Sequence, residues 1–178
     1  YSLASRLSFF LWNAGPDDEL LSAAERGELH SKEGAERAVE RMLASPRLTA
    51  GMRAFFDDML AFDEVKTRVK DSTIYPEFTR VTAEDAREQT LRTATDHLLA
   101  NDGDYRDLFT TRSTVMSPAL ALIYGVPAQP GWAPHEFPED SPRAGLLTQV
   151  SFLSLNAHPG RSSVTLRGQA LRERFLCQ

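Results

Sequence analysis

A single cysteine in 178 residues, Cys177, removes whole classes of chemistry. It cannot close an internal disulfide, build a thiolate zinc cage, or supply both thioethers of a Cys-x-x-Cys-His haem attachment. Long apolar runs are missing too. None approaches the roughly 18 residues that cross a bilayer, so no membrane span is expected. No cluster of Lys and Arg stands out, and a net charge of −5 speaks against nucleic acid or an anionic membrane surface as partner. His-Glu-x-x-His, Glu-x-x-His, Gly-x-Gly-x-x-Gly and Walker patterns are all absent, so zinc-protease, di-iron and nucleotide sites lack their residues. No signal-peptide pattern is read in these residues. The chain opens at Tyr1 already in a helical pattern and stops at Cys177-Gln178, which reads as a piece of a longer protein.

What is present is helical periodicity on a chain apolar enough, at 42% hydrophobic residues, to bury a core as one domain or one domain plus the start of another. "SLASRLSFFLWN" sets Leu3, Leu7, Phe10 and Leu11 on one face. "GPDDELLSAAERGEL" supplies Pro16 and three acids to a first turn and Gly27 as a stop. Ser31 caps a third helix, with Ala35, Val39, Met42 and Leu43 as its apolar residues. Leu48, Met52, Phe55, Met59 and Phe62 make the stripe of a bundle helix, with Ser45 and Pro46 at its start. After the polar connection "DEVKTRVKDSTIYPEF" comes a long helix. Thr82 and Asp85 read as its capping pair, Asn101-Asp102-Gly103 as its end, and Ala83, Ala86, Leu91, Ala94 and Leu98 as its small-residue face.

Ser117-Pro118 opens a short helix that Gly125 stops. Five prolines between Val126 and Pro142 exclude a helix or a central strand there and mark a linker or surface-wrapping segment. Two more helices follow, one with Leu146, Val150, Leu153 and Ala157, the last with Leu166, Ala170, Leu171 and Phe175. No strand alternates convincingly. The expected fold is all-α, a multi-helix bundle with a proline-rich connecting segment.

Three of the four histidines, His30, His97 and His135, have structural explanations: a turn, a helix end, and an anchor beside Trp132 and Phe137. Only His158 keeps functional-looking company, in "LSLNAHPGRSSVTLRG". Asn156, His158, Arg161, Ser162, Ser163 and Arg167 crowd a Pro159-Gly160 turn just before a helix whose free N–H groups point toward it. Two readings stand. In the first, Arg161, Ser162, Ser163 and Arg167 hold a carboxylate or phosphate. In the second, a serine caps the helix, Arg161 satisfies carbonyls of the preceding helix and Arg167 pairs with an acid. A Ser–His nucleophile of His158 with Ser162 or Ser163 is within reach, but its flanks form no nucleophile elbow.

Three stretches, "LASRLSFFLWNAGPDDELLSAAERGEL", "YRDLFTTRSTVMSPALALIYGVP" and "RAGLLTQVSFLSLNAHPGRSSVTLRGQALRERFLCQ", resemble two adjoining bacterial families of unknown function, numbered 1592 and 1588. Arg161 and Arg167-Gly168 match that pattern. The resemblance implies a helical domain over 1–127, a proline-rich connector over 128–142, and over 143–178 the two-helix start of a second module packed on the first. It also implies a setting: large exported chains, periplasmic, cell-surface or secreted, that carry c-type haem in other domains. In that setting Cys177 would find a disulfide partner outside this chain. The expected function is a non-catalytic scaffold or docking module, associated with electron transfer. Its partners would be neighbouring domains of the same chain and redox proteins. The alternative is an enzyme or binding domain with an anion or carbohydrate pocket at the Asn156–Arg167 turn. No cofactor is expected within the chain itself.

Overall fold

The computed structural model describes residues 1–178, the side chain of Lys66 excepted. Its backbone divides into two units, Tyr1–Phe56 and Asp57–Gln178.

The first unit holds α1 (Ser2–Trp12), α2 (Asp18–Glu25), α3 (Lys32–Leu43) and most of α4 (Leu48–Met59). Asp17 caps α2 by accepting from Leu20 N–H, and its carboxylate also receives two guanidinium bonds from Arg41 at 2.7 and 2.9 Å. Ser31 caps α3 through Gly34 N–H. The core is Ala4, Trp12, Leu20, Ala23, Leu29, Ala38 and Met42, with the Trp12 indole donating to Met42 O at 3.0 Å.

The buried faces differ from those the apolar spacing selects. On α1 the buried residues are Ala4, Ser8 and Trp12, whereas Leu3 and Phe10 stay exposed. On α4 Gly51 and Phe56 are buried and Phe55 is exposed. Close backbone approach is the reason: a Cβ on Gly51 would lie 2.0 Å from Leu11 O. Such a crossing needs small residues at the contact and turns larger side chains outward.

In the second unit α5 (Arg80–Thr95) is buried around most of its circumference. Its cap is Thr79, in a reciprocal capping box with Thr82; Thr82 and Asp85 therefore lie inside the helix, and Asp85 accepts from Ser117 Oγ. A π-helical turn, Asp96–Ala100, ends it. Around α5 pack α6 (Pro118–Tyr124), α7 (Val150–Leu155) and a two-stranded antiparallel sheet.

That sheet corrects the all-α expectation: the fold is mostly helical, with eight α-helices and a small sheet among the described residues. Strand β1 is Ser113–Met116 and β2 is Ala133–Glu136, with Val115 opposite Pro134. In a sheet of two strands every strand is an edge, where a proline's missing N–H does no harm. The proline-rich segment is thus partly strand. It is held by Arg92 over the Trp132 ring at 4.6 Å and by Arg112, which donates to the Pro138 and Ser141 carbonyls.

The helix expected from Leu146 onward is broken into a 3-10 turn, Leu146–Thr148, and α7, with Gln149 extended between them. Gly145 (φ +68°) sits so close to Phe109 that a Cβ would meet its carbonyl oxygen at 2.1 Å. Helix α8 (Val164–Arg174) closes the unit. Arg174 donates to Leu60 O, and the Phe175 ring meets Phe109 and Phe152 edge-on.

Candidate functional site

A buried polar network fixes where α7 begins. Thr90 Oγ1 meets Gln149 Oε1 and Ser151 Oγ, each at 2.6 Å, and Thr93 Oγ1 meets Thr114 Oγ1 at 2.9 Å. The Tyr124 hydroxyl donates to Gln89 Oε1 at 2.9 Å and accepts from Val150 N–H at 3.0 Å. Burial pushes the Tyr124 phenol up to about 12. Unpaired polar groups would be costly here, so these bonds specify one packing of α5, β1, α6 and α7.

The far end of α7 is tied to the segment that reads in the sequence as a plain polar connection. Lys70, 9% exposed, donates from Nζ to the carbonyls of Ala157 and His158, each at 3.1 Å. Asp71 N–H donates to Pro159 O at 3.0 Å, and Gly160 lies against Ile74. The Lys70 ammonium has no carboxylate partner among the described residues. Burial, and then the nearby Arg68, lower its pKa below the ordinary amine value.

Between these two anchorages lies a cavity of about 240 Å³. Phe78, Ile123, Val150, Leu153 and Ala157 form its apolar wall. Lys70, Arg143, His158 and Arg167 bring basic nitrogen to it, Tyr75, Ser154 and Ser162 bring hydroxyls, and no Asp or Glu lines it. Arg143 is positioned by the Thr148 carbonyl at 2.9 Å and by the Tyr124 ring at 5.2 Å. Among the described residues the Arg167 guanidinium has neither an acid nor a carbonyl partner.

Three of the residues singled out in the sequence, His158, Ser162 and Arg167, come together on this cavity. Three others do not line it. Asn156 is buried and its amide donates back to Phe152 O at 2.8 Å. Ser163 spends its hydroxyl capping α8, accepting from Leu166 N–H. Arg161 is exposed, and Lys70 rather than Arg161 takes the carbonyls that follow α7. No hydrogen bond joins His158 to Ser162 among the described residues. Cys177 is exposed and free.

Lys70, Tyr75, Phe78, Ile123, Arg143 and Ser154 carry no signal of a site in the sequence, and Val150, Leu153 and Ala157 read there only as a helix face. Lys70 and Arg143 stand in segments with no helical pattern, more than 70 positions apart. The one local hint was the trio Ile74, Tyr75 and Phe78, apolar side chains inside an otherwise polar connection.

The arrangement offers donors and positive charge in a hollow with an apolar wall. It suits an anion, since guanidinium and ammonium donors form their strongest bonds with charged oxygens. It suits a sugar less well, because no carboxylate or amide lines it to accept from hydroxyls. Among the described residues no group of His, Cys, Asp and Glu is placed to hold a metal ion, and no helix is long and apolar enough to cross a membrane.

By fold and site this is a mostly helical protein of two units, the second carrying a basic, carboxylate-free cavity. It belongs to the family described as PSD4, protein of unknown function (DUF1592), whose family model matches residues 1–126. No curated protein and no solved structure matches it. The matched stretch contains Lys70, Tyr75, Phe78 and Ile123; Arg143, His158, Ser162 and Arg167 lie beyond it, so both stretches are needed to complete the cavity.

Proposed function

We propose that this chain is a helical docking module, not catalytic by itself, whose Asp57–Gln178 unit receives an anionic group in the cavity between α7 and the Lys70–Phe78 segment. The observation that carries this reading is the lining: Lys70, Arg143, His158 and Arg167 with no opposing carboxylate, in a chain of net charge −5. In an acidic protein, Lys and Arg side chains that meet no carboxylate in a cavity attract an anion from outside.

The setting we propose comes from the resemblance: a larger exported protein that carries c-type haem in neighbouring domains, with the stretch after Pro142 opening a second module of the family numbered 1588. The residues of this chain do not fit haem attachment, because one cysteine cannot form two thioether bonds. The haem therefore belongs to another domain in this proposal. What arrives at the cavity would be a propionate, an acidic side chain or a free carboxylate. A disulfide from exposed Cys177 to a following segment completes the picture.

The test is titration of the whole chain with butanoate and, separately, butanamide, followed by amide chemical shifts. Butanoate is expected to shift residues of α7 and the Lys70–Phe78 segment, and the neutral amide to bind at least tenfold more weakly. Arg167→Ala should lower the butanoate affinity about tenfold, one charge-assisted hydrogen bond's worth. Equal binding of acid and amide would overturn the anion reading.

A further inference from the structure

The basic cavity does not end at its apolar wall. A second hollow of about 350 Å³ is lined by Ile74, Tyr75, Glu77, Phe78, Leu122 and Ile123. Tyr75, Phe78 and Ile123 line both hollows, so the two adjoin at these three side chains. The outer hollow is also where large apolar side chains lie bare: Leu122 is 67% exposed, Ile74 53% and Tyr75 39%. Scattered surface leucines mean little, but apolar side chains gathered into one trough with a charged head mark a surface meant to be covered.

We infer that the occupant is a single-chain amphiphilic carboxylate, its head among Lys70, Arg143 and Arg167 and its aliphatic tail laid along Tyr75, Phe78, Ile123 and Leu122. This rests on the anion reading above and narrows it. Polarity runs one way along the groove. Basic residues line only the inner hollow, Tyr75, Phe78 and Ile123 line both, and Glu77 lines only the outer one. A second negative charge at the far end of the ligand would meet Glu77. The groove therefore prefers a monocarboxylate to an α,ω-dicarboxylate of the same length. Lys70 joins head to trough physically, since the loop it opens carries Ile74, Tyr75 and Phe78. Its bonds to the Ala157 and His158 carbonyls hold that loop against the end of α7.

The experiment is calorimetric titration of the whole chain with butanoate, hexanoate, octanoate, octanol and suberate. Affinity is expected to rise between about twofold and fourfold per added methylene, the lower figure for a tail covered on one side only. Octanol and suberate are each expected to bind at least tenfold more weakly than octanoate. Leu122→Asp, at an exposed position, should flatten the dependence on chain length. Glu77→Gln should bring suberate up toward octanoate. Equal affinities for butanoate and octanoate, with Arg167→Ala still weakening both, would overturn the trough and spare the anion receptor. Octanol binding as tightly as octanoate, or no binding by any probe, would overturn both.

Discussion

Removing one oxygen at Tyr124 should loosen the wall of the cavity from a distance. Tyr124→Phe leaves two buried groups without partners: Gln89 Oε1, which accepted the phenol proton, and the Val150 N–H, which donated to the phenol oxygen. Gln89 is fully buried and Val150 is 7% exposed, so water is a poor substitute. Each orphaned group costs about 1–3 kcal/mol, and after partial relaxation the variant should lose about 2–4 kcal/mol. The ring remains under Arg143, so the loss registers at the start of α7 rather than in the cation's position.

The pH dependence supplies a second, independent signature. Burial raises this phenol from 10.0 to about 12, so the folded state holds the proton more tightly than the unfolded one. A raised pKa gives stability that is complete below the unfolded value and is lost as pH rises through the folded one. Two units correspond to roughly 3 kcal/mol lost between pH 10 and 12, a decline Tyr124→Phe cannot show. The assay is urea unfolding at neutral pH and again at about pH 11, with amide exchange of the segment containing Val150. A neutral-pH loss under about 1 kcal/mol, or the same alkaline decline in both proteins, would refute the network.

Gly51→Ala should cost about 3 kcal/mol or more in urea unfolding, because its Cβ would sit 2.0 Å from a backbone oxygen that no rotamer change can move. Gly15→Ala, with nothing within 4 Å, is the control expected to stay near neutral. Asp17→Asn should cost about 1–2 kcal/mol at neutral pH by weakening the α2 cap and the paired Arg41 bonds. The Arg41 guanidinium holds the Asp17 carboxyl below its usual 3.8. Its stabilisation is therefore complete above that value and is lost as pH falls through the lower folded one, which acid titration of the variant against the parent would read. Lys70→Met strips the Ala157 and His158 carbonyls of their donor but relieves a buried charge, a net loss of about 1 kcal/mol near neutrality. Because burial lowers the ammonium's pKa, the parent gains stability as pH climbs through the folded value toward 10.5. The gap to Lys70→Met should widen in alkali, and a constant gap would contradict the burial.

Local chemistry decided much of this protein at the level of single residues. Ser31, Ser117 and Ser163 cap the helices they precede, and Gly125, at φ +68°, stops α6, because capping and positive φ are properties of a few adjacent residues. Sequence also placed His158, Ser162 and Arg167 in one neighbourhood, since a single turn carries them. Which face of α1 or α4 turns inward was settled by how closely backbones approach at Gly51, a distance that periodicity does not encode. The strand at Ala133–Glu136 exists because β1 lies beside it, whatever its own proline content predicts. The cavity is the clearest tertiary decision. Lys70 and Arg143 reach it from segments with no pattern of their own, held there by carbonyls at the ends of α7 and by the Tyr124 ring. Charge in an unpatterned loop acquires meaning only from what the fold sets opposite it, and that placement depends on contacts between residues far apart in the chain.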